Sequence, residues 1–225
     1  STSTCEHPQA LAATHELVEG EQLLSWNCLL RSVDVVFRDP SWLETLAEAR
    51  EAVWLLEEDL AEPEAAVLGV DLECFDDVVC TVQLATHKRT VILDALQLHG
   101  DVAALLGPLF TNSSVTKLFH APRNDLRWLR SNFGIHVVNL FDTYTAAALV
   151  EVAKEDGRPV AERGRSSLKG LCLRFLQIDL DKTHQRSDWR LRPLPKEMLR
   201  YAARDAEVLL PLAARLASMV KRAGL

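Results

Sequence analysis

From residue 66 onward the apolar positions fall into short runs bounded by polar clusters, and the period of those runs changes along the chain. Residues 66–73, 78–86 and 90–94 are apolar stretches of strand length separated by two to four polar residues, which predicts an antiparallel meander. The pattern then switches to helix over 102–110, strand over 116–120, helix over 122–133 and strand over 137–141, an order that adds parallel strands beside the meander. After Asp142 it turns helical, with helices predicted over 143–152 and 168–176 around a basic polar loop at 154–167 that is expected to be mobile. The end, 196–220, reads as one or two helices with Pro211 as the point of kinking. The fold class predicted is α/β, a mixed sheet of antiparallel meander plus parallel strands, flanked by helices.

Upstream of residue 66 the pattern is weaker. Residues 1–40 have no clean periodicity beyond Leu23, Leu24, Leu29 and Leu30. Asp39, Pro40 and Ser41 make a helix start, followed at helical spacing by Trp42, Leu46, Ala49 and Val53. Residues 54–56 end that helix or form a short strand, and 57–64, with Pro63, is a polar connector. The division expected is an acidic arm over 1–65, packing on the core or binding a partner, and a main globular domain over 66–225. The sequence has no internal repeat, no low-complexity tract and no Gly-rich phosphate loop.

Charge sharpens that division. The formal net charge of −7 over 225 residues speaks against nucleic acid until it is split. Residues 1–65 hold 14 Asp or Glu against three Lys or Arg, whereas 66–225 hold 18 acids against 22 bases. The later part is therefore electropositive, as a phosphate backbone requires. Five cysteines, odd in number and without C-x-x-C spacing, fit a reduced intracellular compartment. The opening Ser-Thr-Ser-Thr has neither the basic nor the apolar region of a secretory signal, and no apolar run reaches the roughly 20 residues needed to span a bilayer.

The candidate chemistry lies in five residues. Asp71 and Glu73 end an apolar strand two residues apart, so alternation puts both on one face. Tyr201 and Asp205, four apart in an Ala- and Arg-rich segment, share one face of a helix. Asp125 opens a helix directly after the strand at 116–120. Singly, each has an ordinary reading: an acid at a strand end, an acid favoured by the helix dipole, a core tyrosine. Together, four carboxylates suit two hard divalent cations, Mg²⁺ or Mn²⁺, which phosphodiester hydrolysis uses to generate its nucleophile and neutralise charge.

The pieces G-V-D-L-E at 69–73, K-L-F-H-A-P-R-N-D-L-R-W-L at 117–129, N-L-F-D-T at 139–143 and S-D-W-R-L-R-P-L-P-K-E-M-L-R-Y-A-A-R-D at 187–205 occur in the order of a known family. Over about 67–210 the chain resembles the DEDD superfamily of 3′–5′ exonucleases, in the RNase D-like branch with a tyrosine in its last motif. The long D-W-R-x-R-P-L-P segment is most similar to the eukaryotic exosome-associated members. The resemblance implies a ribonuclease H-like fold and a metal-dependent enzyme that removes nucleotides from the 3′ end of single-stranded RNA, releasing nucleoside 5′-monophosphates. It implies that Asp71 bridges two metal ions, that Glu73 and Asp205 complete the site of the attacking water, that Asp125 supports the second ion, and that Tyr201 orients or helps deprotonate the water. It also implies a nuclear or nucleolar RNA-processing complex such as the exosome as partner, with a mitochondrial location as the alternative. A DNA exonuclease of the same fold and a catalytically silent RNA-binding scaffold are the other functional readings.

Around these five, Asp142 is expected to cap the next helix or support the site from behind. His120 is a substrate contact or a backbone hydrogen-bonder, and Phe75 a platform for a terminal base or a core residue. Trp189 lines the substrate channel or anchors its loop from within the core. Lys169, Arg186, Arg190, Arg192, Lys196, Arg200 and Arg204 track phosphate or pair with acids. Cys74 is expected to point away from the carboxylates, and no histidine has zinc-ligand spacing. Two departures from the family stand out. The segment 74–79 is shorter than the usual loop there, and the 225 residues leave no room for the helical HRDC domain common in RNase D-like enzymes, which leads one to expect trimming or an RNA-binding partner.

Overall fold

The computed structural model describes residues 37–62, 66–154 and 167–224. Six strands, β1 (Ser41–Leu43), β2 (Val67–Phe75), β3 (Val78–Ala85), β4 (Thr90–Asp94), β5 (Thr116–Phe119) and β6 (Leu140–Asp142), form one sheet in the order β1-β4-β3-β2-β5-β6. The predicted meander is β2-β3-β4, antiparallel throughout, and β5 and β6 add to it in parallel. Seven helices accompany the sheet in the described residues: α1 (Leu46–Leu60), α2 (Val102–Thr111), α3 (Arg123–Phe133), α4 (Thr143–Lys154), α5 (Leu168–Leu176), α6 (Lys196–Glu207) and α7 (Leu209–Arg222). This is the mixed α/β architecture expected from the pattern. Among the described residues no helix is long and apolar enough to cross a membrane.

Alternation along β2 explains the layering. Leu68, Val70 and Leu72 enter one core with α1, α2 and the buried Leu129 and Phe133 of α3. Val67, on the opposite face, enters a second core with α4, α5 and α7. A third cluster, with Cys80, Ile92, Trp189, Met198, Tyr201, Ala202 and Ala203, lies under α6. Because helices cover both faces, β3 and β4 are buried almost throughout and are largely apolar on both faces, with Thr81, Gln83, Thr90 and Asp94 as buried polar residues.

Four boundaries differ from expectation. The helix α1 runs on to Leu60, through the residues predicted to end it and to form a polar connector, because Leu56, Asp59 and Leu60 are buried on its inner face. Ser41–Leu43 is not a helix start but a parallel edge strand on β4, and α1 begins later with a capping box. There Thr45 Oγ1 accepts from Glu48 N at 3.3 Å, while Glu48 Oε2 accepts from Thr45 N at 3.1 Å. Strand pairing with a distant segment is invisible to local periodicity. The last parallel strand is shorter than predicted, starting at Leu140, because Gly134 (φ 68°) and Asn139 (φ 55°) are both left-handed and keep 134–139 irregular. The terminal helices part at Val208 rather than kinking at Pro211, which sits in the first turn of α7, where its missing N–H costs nothing.

Of the acidic segment 1–65, the described part packs on the sheet. Leu43, Ala49, Ala52, Leu56 and Leu60 are buried in the first core. Asp59, buried, is held by Arg89 at 2.7 and 3.0 Å and by Thr86 Oγ1 at 2.7 Å. The backbone N–H of Arg38 donates to Glu207 at 3.2 Å. Residues 1–36, with Leu23, Leu24, Leu29 and Leu30, the connector residues 63–65 and most of the loop expected at 154–167 lie outside the described residues.

Candidate active site

Asp71 and Glu73 project from the face of β2 that α6 crosses. The crossing is close because Gly69, on the same face, has no side chain: a Cβ there would stand 2.3 Å from the carbonyl oxygen of Ala206. Asp205, the neighbour of Ala206, is thereby brought against Asp71. One carboxylate oxygen from each of Asp71, Glu73 and Asp205 lies within 4.8 Å of the other two. Tyr201, one turn earlier on α6, is buried and hydrogen-bonded to Asp205. Asp125, in the first turn of α3, stands outside that trio, but its charge reaches Asp71.

Burial and mutual repulsion dominate the electrostatics. Burial first, and then Asp205 and Asp125, raise the Asp71 carboxyl well above the usual range; burial first, and then Asp71 and Asp205, do the same for Glu73. Burial pushes Asp125 up to about 6. Burial also raises Asp205, against the opposing pull of Lys182 and the Tyr201 hydrogen bond. The Tyr201 phenol is raised by burial and then by the nearby carboxylates, so it keeps its proton and serves as a donor. Such a cluster of crowded oxygen ligands is short of positive charge, and its hard donors fit Mg²⁺ or Mn²⁺. Among the described residues it is the one group of three or more acids, histidines or cysteines placed to hold a metal ion. Cys74 follows a register shift in β2 and packs against the first core, where burial pushes its thiol up; it is a packing residue.

One charged neighbour escapes a reading of the sequence. Lys182, in the irregular segment 177–195, places Nζ 2.8 and 3.1 Å from the two oxygens of Asp205 and 5.5 Å from the Tyr201 ring centroid. Its only sequence signal is its place five residues before the S-D-W-R motif.

The expected substrate contacts divide. A cavity of about 160 Å³ opens beside Tyr201 and Asp205, lined by Leu180, Asp181, His184, Glu197, Arg200 and Arg204. Arg204 thus reaches the site, with its guanidinium 4.8 Å from the Phe37 ring centroid. Phe75 lies at the end of β2 with the Arg190 guanidinium 3.6 Å above its ring, and Asp188 grips Arg190 at 2.9 Å through both carboxylate oxygens. A base approaching that face meets the Arg190 plane rather than Phe75. His120, at the end of β5, meets Thr143 Oγ1 at 3.0 Å and the Tyr144 ring edge-on at 6.0 Å. Asp142 receives the backbone N–H groups of Ala121 and Tyr144, both at 2.9 Å, and so ties the turn after His120 to the start of α4.

Two expected substrate residues lie elsewhere. Trp189 does not line a channel: it is 1% exposed and stacks at a tilt 6.0 Å from Tyr201, as a wall behind the phenol. Lys169 pairs with Asp179 at 2.8 Å on α5 rather than meeting the carboxylates. Of the basic cluster, Arg192 is structural, bound to the buried Asp94 at 2.5 and 2.7 Å, and Arg200 pairs with Asp39 at 3.1 Å.

The geometry agrees with comparisons to known proteins. The family model described as 3′-5′ exonuclease matches residues 45–221. Exosome complex component 10 of Homo sapiens is 38% identical over 147 residues, 63% of this chain and 15% of that protein. Exosome complex exonuclease RRP6 of Saccharomyces cerevisiae is 35% identical over 176 residues, 76% of this chain and 22% of that protein. The chain therefore spans less than a quarter of the length of these curated relatives. Among solved structures, RNase D of Escherichia coli, an exoribonuclease involved in structured RNA processing, superposes with a TM-score of 0.68 at 25% identity, covering 83% of this chain and 46% of that one. With the acid trio and Tyr201 in one site on this fold, the chain belongs to the 3′-5′ exonuclease family, in its RNase D-like branch, a family that depends on divalent metal ions.

Proposed function

We propose that this chain is a 3′–5′ exoribonuclease that shortens single-stranded RNA from its 3′ end and releases nucleoside 5′-monophosphates. The observation that carries the reading is the convergence of Asp71, Glu73 and Asp205 within 4.8 Å, with Tyr201 one turn before Asp205 on the same helix. Asp71, Glu73, Asp125 and Asp205 would hold two divalent cations, Mg²⁺ or Mn²⁺, and these would supply an acidified water and charge neutralisation at the phosphate. Tyr201, protonated and fixed by Trp189 behind it, orients that water through its hydroxyl. Arg204 and the Arg190–Phe75 stack receive the nucleotide chain, and Asp142 holds the turn carrying His120.

RNA is favoured over DNA by the relatives, since the Escherichia coli enzyme is an exoribonuclease and the human and yeast proteins are exosome components. The same likeness supports a place in a nuclear RNA-processing complex of the exosome type.

The test is turnover of 5′-labelled RNA and matching DNA oligonucleotides in Mg²⁺ and in Mn²⁺, with Asp71→Asn beside the parent. A ladder shortening one nucleotide at a time on RNA, absent in Asp71→Asn, is the expected result. Equal degradation by both proteins would sink the reading, and faster cleavage of DNA would replace the substrate class.

A further inference from the structure

Lys182 stands where a cation is needed. Its ammonium donates to both oxygens of Asp205, at 2.8 and 3.1 Å, and so occupies the carboxylate edge that a metal ligand would need. Asp205 is also one of the three carboxylates that crowd within 4.8 Å. The positive field of Lys182 extends to Asp71 and Glu73, so it offsets repulsion across the cluster. Asp205 is nearly buried, whereas about a quarter of the Lys182 side chain is exposed, and its backbone lies in a segment without helix or strand. The long stem therefore has a route outward that the carboxylate lacks.

We propose that Lys182 is a placeholder cation: it holds Asp205 in ligand geometry before metal binds, is displaced from Asp205 as the metal enters, and swings outward to the phosphate of the incoming RNA. This rests on the metal-dependent reading above and assigns a role to a residue outside the acid–tyrosine set. Lys182 is a positioning residue, acting on the cluster through Asp205. Two like charges cannot both sit on the inner edge of one carboxylate, so metal affinity carries the cost of moving the ammonium. Once displaced, that charge lies at the rim of the cavity that Arg204 and Arg200 line, and adds to its attraction for phosphate.

The experiment is calorimetric titration of Mn²⁺ into the RNA-free chain, comparing the parent with Lys182→Met and Lys182→Arg. Lys182→Met is expected to bind Mn²⁺ about tenfold more tightly, and Lys182→Arg, which keeps the charge, to stay near the parent. With Ca²⁺ in the site, Lys182→Met is expected to bind a single-stranded RNA oligonucleotide several-fold more weakly. Unchanged or weaker Mn²⁺ affinity in folded Lys182→Met overturns the proposal. A structure of the Mn²⁺-loaded parent tests it without any variant: Nζ should have left Asp205, and an intact contact beside the bound ion overturns it. A parent that binds no Mn²⁺ would remove the metal-site reading itself, and this inference with it.

Discussion

Gly69 of β2 lies directly beneath the carbonyl of Ala206 in α6, so closely that a Cβ on the glycine would meet that oxygen at 2.3 Å and Leu210 Cδ1 at 3.1 Å. This contact sets the spacing of the two halves of the site, since Asp71 is two residues along the strand and Asp205 is next along the helix. Gly69→Ala must push α6 outward. The expected outcome is a loss of about 1–3 kcal/mol in stability, as for overpacking elsewhere, and a fall in RNA turnover larger than stability alone explains. Urea unfolding and single-turnover rates on the same preparations check both.

Tyr201→Phe removes a hydroxyl and leaves the ring against Trp189, so the core keeps its shape. Because the phenol holds its proton, the change removes a hydrogen-bond donor and not a base. Turnover should fall by about one to two decades, the worth of one hydrogen bond to a charged group, with Mn²⁺ affinity close to that of the parent. A loss of metal binding as large as that of Asp71→Asn would assign the tyrosine to the ligand set instead.

The acid cluster makes the metal-free chain sensitive to pH. Asp125 is pushed up to about 6 by burial, above the ordinary carboxylate value it has when unfolded, and Asp71 and Glu73 are shifted in the same direction. Carboxyls raised in the folded state contribute stability at low pH and lose that contribution as pH rises through the folded value. In chelator, the melting temperature should therefore fall between pH 5 and pH 8, and the fall should shrink in Asp125→Asn. Added Mg²⁺ should raise the melting temperature most at pH 8, where the carboxylates are charged.

Arg192 reaches from the irregular segment into the sheet, where it grips the buried Asp94 through two nitrogens and also donates to the carbonyl oxygens of Cys80 and Trp189. Arg192→Ala strands a buried carboxylate, and about 3–5 kcal/mol of stability should be lost. The double variant Arg192→Ala with Asp94→Ala should recover part of it. Chemical denaturation of the four proteins of this cycle gives the coupling directly.

The site was legible where chemistry coincides with a backbone period. Asp71 and Glu73 follow strand alternation, and Tyr201 and Asp205 follow the helical turn, so face and proximity could be read from spacing alone. Asp125 needed the strand-then-helix order to be placed. Lys182 obeys no period, because it reaches Asp205 from an irregular segment 23 residues away. The same holds for β1, an edge strand of three residues whose pairing partner lies about 50 positions later, and for Trp189, whose burial depends on α6 packing over it. Arg190 over Phe75 was hidden for the same reason: the stack joins the end of β2 to a loop more than a hundred residues on.

Glu207, the last residue of α6, accepts hydrogen bonds from Thr90 Oγ1 at 2.6 Å and from the Arg38 backbone at 3.2 Å. The stretch entering β1 is thus fastened to the end of the helix that presents Asp205. Any fragment cut for expression at the apparent charge boundary near residue 66 would lose an edge strand, a core helix and this fastening together. A working minimal enzyme has to begin upstream of Arg38, and a protease that nicked the chain there would loosen Asp205 from a distance.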